Sequence, residues 1–145
     1  MKLLIINGPN LSTLGRREPA FYGKIPFETA LDVWKKRYPQ CHLSYFQSDL
    51  EGELIKTISN AETNQEGIIL NGGAFSHTSI ALHDAIRGLS IPVIEVHISN
   101  IFARESFRHH SFLSSVCRGS ISGFGLDGYR LAIEAFLEMG HNVDH

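Results

Sequence analysis

The sequence predicts a doubly wound α/β fold, a five-stranded parallel sheet of order 2-1-3-4-5 with helices on both faces. Two observations carry that expectation. Apolar runs of strand length alternate with segments of helical length along the whole chain, the pattern of a parallel sheet with crossover helices. Five such strand-helix units in about 140 residues suit a flavodoxin-like, three-layer order better than the six-strand dinucleotide fold.

The elements follow in order. Leu3 to Ile6 is the first apolar run, and a polar, glycine-rich stretch to Gly23 follows it. Phe27, Ala30, Leu31 and Trp34 fall at i, i+3, i+4 and i+7, one face of a helix that ends near Pro39. His42 to Gln47 reads as the second strand, and Glu51 to Asn64, with Leu54, Ile55 and Ile58 on one face, as the second helix. Gly67 to Leu70 is the third strand and Thr78 to Arg87 the third helix. Ile91 to Val96 is the fourth strand, with Pro92 near its start, where a missing N–H is tolerated. A helical turn around Arg104–Phe107, a weak fifth strand at Gly119–Ser122 and a last helix from about Gly128 to Met139 complete the chain.

A length of 145 residues is near the common size of one domain. With no repeat, linker or low-complexity tract, residues 1–145 read as a single domain, with a loop of lid type at about 8–23 and a frayed tail at about 140–145. A composition of 43% hydrophobic and 19% charged residues is too apolar for a disordered chain. Thirteen Lys+Arg against fifteen Asp+Glu give no basic excess, so no nucleic-acid partner is expected. Cys41 and Cys117 lack any Cys-x-x-Cys spacing and read as ordinary thiols of a reducing cytoplasm. The apolar run after Met1 stops at Asn7-Gly8-Pro9, too short for a signal peptide or a membrane span.

In open α/β sheets, ligands bind beyond the carboxyl ends of the strands, where the order reverses. Those ends are Asn7-Gly8-Pro9-Asn10, Asn71-Gly72-Gly73-Ala74-Phe75-Ser76-His77 and Glu95-Val96-His97-Ile98-Ser99-Asn100, and Asn10, Asn71, His77, Glu95 and His97 stand there with no lysine beside them. Several familiar motifs fail. Gly123-Phe124-Gly125-Leu126-Asp127-Gly128 matches G-x-G-x-x-G but has no following strand to present an acid to a ribose, so its glycines ease the turn into the last helix. Eight histidines include no His-Glu-x-x-His, and no metal is expected. The lysines are Lys2, Lys24, Lys35, Lys36 and Lys56, none at these strand ends; a Schiff base has no candidate. No Gly-Lys-Ser/Thr marks a phosphate cradle.

Two constellations remain. Arg17 and Tyr22 share a connection of about 16 residues, longer than is usual. A phenol of pKa near 10 is ionised to about one part in a thousand at pH 7, a deficit of roughly 4 kcal/mol. A shielded guanidinium removes much of it, so Tyr22 is either a base activated by Arg17 or an aromatic that anchors the loop. Glu95 and His97 are two apart on a strand and point to one face. A carboxylate there fixes the imidazole tautomer and favours its charged form, as a general acid needs; a satisfied histidine with an incidental neighbour remains open.

Asn7-Gly8-Pro9-Asn10-Leu11, Gly15 to Gly23, Phe46-Gln47-Ser48, Ser76 to Leu82, Glu95 to Asn100 and Ala103 to Ser111 together resemble type II 3-dehydroquinate dehydratase, in order and over nearly the whole chain. The resemblance implies a cytoplasmic lyase of the shikimate pathway. It converts 3-dehydroquinate to 3-dehydroshikimate without metal or cofactor, by anti elimination through an enolate. Tyr22 would take the C2 proton with Arg17 lowering its pKa, and Asn10 would stabilise the enolate. His97 would protonate the departing hydroxyl, held by Glu95. The amides of Ile98 and Ser99 would receive the carboxylate, and Asn71, His77 and Arg108 the ring hydroxyls. Asp84 would reach a neighbouring subunit's site in a homododecamer built as a tetramer of trimers. The chain departs from the family pattern at Ser12, Asp49, Leu50, Gly72 and His83, none of them assigned to chemistry. The rival reading is a non-catalytic flavodoxin-like module or an inactive scaffold relative. A receiver, however, would carry an acidic cluster after the first strand, where Asn7-Gly8-Pro9-Asn10 stands.

Overall fold

In the computed structural model, which describes residues 1–11 and 25–141, the strands are β1 (Lys2–Asn7), β2 (His42–Gln47), β3 (Gly67–Asn71), β4 (Val93–His97) and β5 (Gly119–Ser122). They form one sheet of order β2-β1-β3-β4-β5, with every pairing parallel. The α-helices are α1 (Phe27–Arg37), α2 (Glu51–Asn60), α3 (Ile80–Arg87) and α4 (Asp127–His141).

Alternation along the strands builds a core on each face. Leu3 and Ile5 of β1, Ile69 of β3 and Ile94 and Val96 of β4 turn to Phe27, Leu31 and Trp34 of α1 and to Tyr129, Ile133 and Phe136 of α4. Leu4, Ile6, Ile68, Leu70 and Val93 turn the other way, to Leu54 and Ile58 of α2 and Leu82 and Ile86 of α3. Fully burying one such aliphatic side chain is worth about 1.5–3 kcal/mol, so the two layers of helix are held mainly by these contacts.

Local chemistry sets the ends. Glu28 in the first turn and Lys35, Lys36 and Arg37 in the last complement the dipole of α1. Ser79 caps α3, its side chain accepting from the Leu82 amide at 2.9 Å. That cap moves the helix start to Ile80 from the Thr78 expected, because Gly73–His77 winds as a separate 3-10 turn. Strand β4 starts at Val93 rather than Ile91: Pro92 has no N–H to pair, although its carbonyl still accepts from Ile68 at 3.1 Å. Helix α2 ends at Asn60, and a 3-10 turn at Ala61–Thr63 takes the remaining length. The expected turn near Arg104 is two 3-10 turns, Ile101–Ala103 and Ser106–Arg108. Gly123 and Gly125 take φ of 97° and 61°, the left-handed region that suits glycine, and so turn the chain into α4.

The register sets the strand ends level. Asn7 pairs with Gln47 on one side and Asn71 on the other, and His97 pairs with Ser122. The polar residues beyond β1, β3 and β4 therefore meet on one edge of the molecule.

Candidate active site

One cavity opens on that edge, lined among others by Asn10, Asn71, His77, His97, Ile98 and Ser99 from the three strand ends and by Arg104 and Arg108. It lies where the strand order reverses between β1 and β3, the position favoured for ligands in such sheets. The Gly8 amide donates to the Asn71 carbonyl at 2.8 Å, and a Cβ on Gly8 would stand 2.5 Å from the Gly72 carbonyl oxygen. Only glycine lets these two loops approach so closely. Asn10 takes φ of 66°, a left-handed conformation that asparagine tolerates. Its amide donates to Asp49 Oδ1 at 3.0 Å, and the same oxygen accepts from Gln47 Nε2 at 3.1 Å. Asp49, one of the departures from the family pattern, thus ties the end of β2 to Asn10.

Glu95 and His97 share a face of β4, as their spacing predicts. His97 Nε2 stands 2.9 Å from Glu95 Oε2, the distance of an ion pair, with the N–H out of line for an ideal hydrogen bond. Glu95 is completely buried. Its Oε2 also accepts from Ser111 Oγ at 2.5 Å, and its Oε1 from Ser120 Oγ at 3.0 Å and from Ser114 Oγ. Burial pushes the carboxyl up. The facing His97 and the serine hydroxyls outweigh it and hold Glu95 at about 2. An ionised carboxylate only accepts hydrogen bonds, so His97 carries a proton on Nε2 and turns Nδ1 away from Glu95.

His77 stacks on His97, ring centroids 5.9 Å apart at 25°. Its surroundings differ. Nδ1 lies 2.8 Å from the His110 carbonyl oxygen, which can only accept, so Nδ1 bears the proton. Burial pushes the His77 pKa down, and His97 and Arg108 push the same way against the His110 carbonyl. The ring is a neutral one with Nε2 as a free-electron-pair acceptor, suited to a hydroxyl.

Asn71 is fixed by a buried chain of polar contacts. Its Oδ1 accepts from the Gly73 amide at 3.1 Å, so its Nδ2 is the group facing Tyr129 Oη at 2.9 Å. Tyr129 then donates to Asn7 Oδ1 at 2.6 Å, and Asn7 Nδ2 donates to Tyr45 Oη at 3.3 Å. The Gly73 amide thereby sets the direction of every bond in the chain, and one hydrogen of Asn71 Nδ2 is left for a ligand. Burial raises the pKa of both tyrosines, which stay protonated donors.

The amides of Ile98 and Ser99 have no acceptor among the described residues, so both can receive an anion. Arg104, 3.4 Å from Ser99 Oγ through Nη1, lines the cavity as well, a contribution the sequence reading missed. Arg104 follows the first of the two 3-10 turns and Arg108 ends the second, and both line the same wall. Arg108 is steadied by Glu105 at 2.6 Å and by the Phe107 ring at 5.0 Å. Ser111, Ser114, Ser120, Tyr129 and Asn7 were also not singled out. Asp84 stands apart: its side chain is 69% exposed, paired with His83 Nδ1 at 2.9 Å, and does not line the cavity. Arg17 and Tyr22 lie outside the described residues. Among the described residues no three His, Cys, Asp or Glu side chains converge as a metal would require, and no helix is long and apolar enough to cross a membrane.

Comparison with known proteins points one way. Residues 1–137 match the family model described as dehydroquinase class II. The chain is 49% identical over 143 residues to a 3-dehydroquinate dehydratase of Exiguobacterium sp., covering 98% of each chain. To that of Bacillus cytotoxicus it is 55% identical over 139 residues, covering 94% of this chain and 95% of the relative. The crystal structure of a type II dehydroquinase from Butyrivibrio crossotus superposes with a TM-score of 0.91 at 42% identity, covering 94% of this chain and 97% of that one.

Proposed function

The chain belongs to the class II dehydroquinase family and is an enzyme that dehydrates 3-dehydroquinate, a step of the shikimate pathway; we propose that it does so by anti elimination through an enolate, with the following division of labour. Tyr22, its pKa lowered by Arg17, takes the proton from C2. The electron pair moves into the C3 carbonyl, and Asn10 stabilises the resulting enolate through a water molecule. Collapse of the enolate forms the C1–C2 double bond and expels the C1 hydroxyl, which takes a proton from His97 and leaves as water. Tyr22 then returns its proton to solvent and His97 regains one.

One observation carries the acid role: a completely buried carboxylate, Glu95, faces His97 at the cavity wall. The substrate carboxylate is received by the Ile98 and Ser99 amides, and ring hydroxyls by Asn71, neutral His77 and Arg108. A lid at about residues 8–23, most of which lie outside the described residues, would exclude water from the enolate on closing. The same reading makes residues 1–145 one catalytic domain of a cytoplasmic homododecamer, a tetramer of trimers in which Asp84 reaches a neighbouring subunit's site.

The test is turnover of 3-dehydroquinate by protein dialysed against chelator, followed by the ultraviolet absorbance of the conjugated product, with a borohydride-treated sample alongside. Full activity after both treatments is expected. Loss on chelation or on borohydride treatment would overturn the metal-free, imine-free mechanism.

A further inference from the structure

We infer that Ser111, Ser114 and Ser120 are positioning residues that keep the proton of the Glu95–His97 pair on the histidine, where the elimination needs it. The inference deepens the acid role proposed for His97 and rests on it. Two arrangements of one proton compete in such a pair: carboxylate with imidazolium, or neutral carboxylic acid with neutral imidazole. Complete burial favours the second, because separating charge away from water is expensive. In that state the general acid has no proton to give to the leaving hydroxyl.

Three hydroxyls around one carboxylate reverse the balance. A neutral carboxyl group would turn one oxygen into a donor and lose acceptors for them, whereas the anion accepts from all three and pairs with a charged His97. Ser111 has its direction fixed: Oγ accepts from the Leu113 amide at 3.1 Å, so its hydrogen goes to Glu95. Ser120 pairs with Glu95 in register across β4 and β5, and Ser114 closes the ring from the 3-10 turn at Ser114–Val116. The other titratable groups near the pair do not supply what the serines do. His77, stacked on His97, is held neutral. Burial pushes the Cys117 thiol up to about 12, with the Glu95 charge adding to the effect, and Arg108 lies beside His77 on the cavity wall.

Ser114 and Ser120 are exposed, so truncating them spares the core. In the Ser114→Ala/Ser120→Ala protein, labelled with 13C at glutamate carboxyls, the Glu95 titration should move up by about one pH unit or more, as expected for losing hydrogen bonds to a charged group. The acid limb of kcat should move up with the carboxyl by about the same amount, with KM nearly unchanged, and Ser120→Thr, which keeps a hydroxyl, should behave as wild type. An unmoved carboxyl titration, or a loss that falls on KM, overturns the inference. A shifted carboxyl with an unmoved acid limb severs the cradle from turnover and overturns it too. The acid role itself stands or falls separately, on whether His97→Asn abolishes turnover.

Discussion

The loop after β3 and the end of β4 each deliver a histidine to one cavity, and the two rings stack at 5.9 Å, yet their surroundings assign them opposite duties. His97 faces a carboxylate that three hydroxyls, with His97 itself as ion-pair partner, hold ionised. His77 faces a backbone carbonyl, with burial and two potential cations against its charged form. The first is equipped to give a proton and the second to accept a hydrogen bond. Residue type alone therefore says little about a histidine; the atom opposite its second nitrogen decides the chemistry.

Replacing each ring in turn breaks the comparison. His97→Asn is expected to lose at least 10²-fold in kcat, the usual scale of general acid–base catalysis, with KM changed little. Steady-state kinetics check it, and a variant that lost only affinity would make His97 a binder. His77→Asn should instead raise KM by about tenfold, the scale of one hydrogen bond, and leave kcat within a few-fold.

A smaller effect sharpens the contrast through stability. Glu95 is held at about 2 against an ordinary 4.5, so its folded-state pKa is depressed. Its support for the fold is complete above about pH 4.5 and is lost as the pH falls from there towards 2. Urea midpoints measured at pH 6 and pH 3 should therefore fall more steeply for wild type than for Glu95→Gln, in which this contribution is absent. Parallel slopes would show that the carboxylate is not held as described.

The fold was legible because burial on both faces of a parallel sheet writes apolar runs straight into the chain. His42–Gln47 and Gly119–Ser122 fell where expected, and the misplaced starts of β4 and α3 trace to one missing N–H at Pro92 and one cap at Ser79. The pair Glu95 and His97 was legible for a similar reason, since a spacing of two needs only a strand. The partners that hold them were not. Ser111, Ser114 and Ser120 lie 16, 19 and 25 residues from Glu95, and Tyr129 lies 58 from Asn71. No local period links such positions; Ser120 and Tyr129 arrive because β5 and α4 pack beside β4 and β3, and Ser111 and Ser114 on the connection that leads into β5. In sequence, Tyr129 looks like one more apolar-face residue of the last helix, and its hydroxyl acquires meaning only beside Asn7 and Asn71.

The opposite roles of the two rings are tested most directly by 15N NMR of the imidazoles in resting protein through a pH titration. The account predicts His77 in its Nδ1–H form, neutral to below the ordinary imidazole pH range, beside His97 with its proton on Nε2. A His77 that charges at the ordinary imidazole pH, or that carries its proton on Nε2 as His97 does, would contradict it.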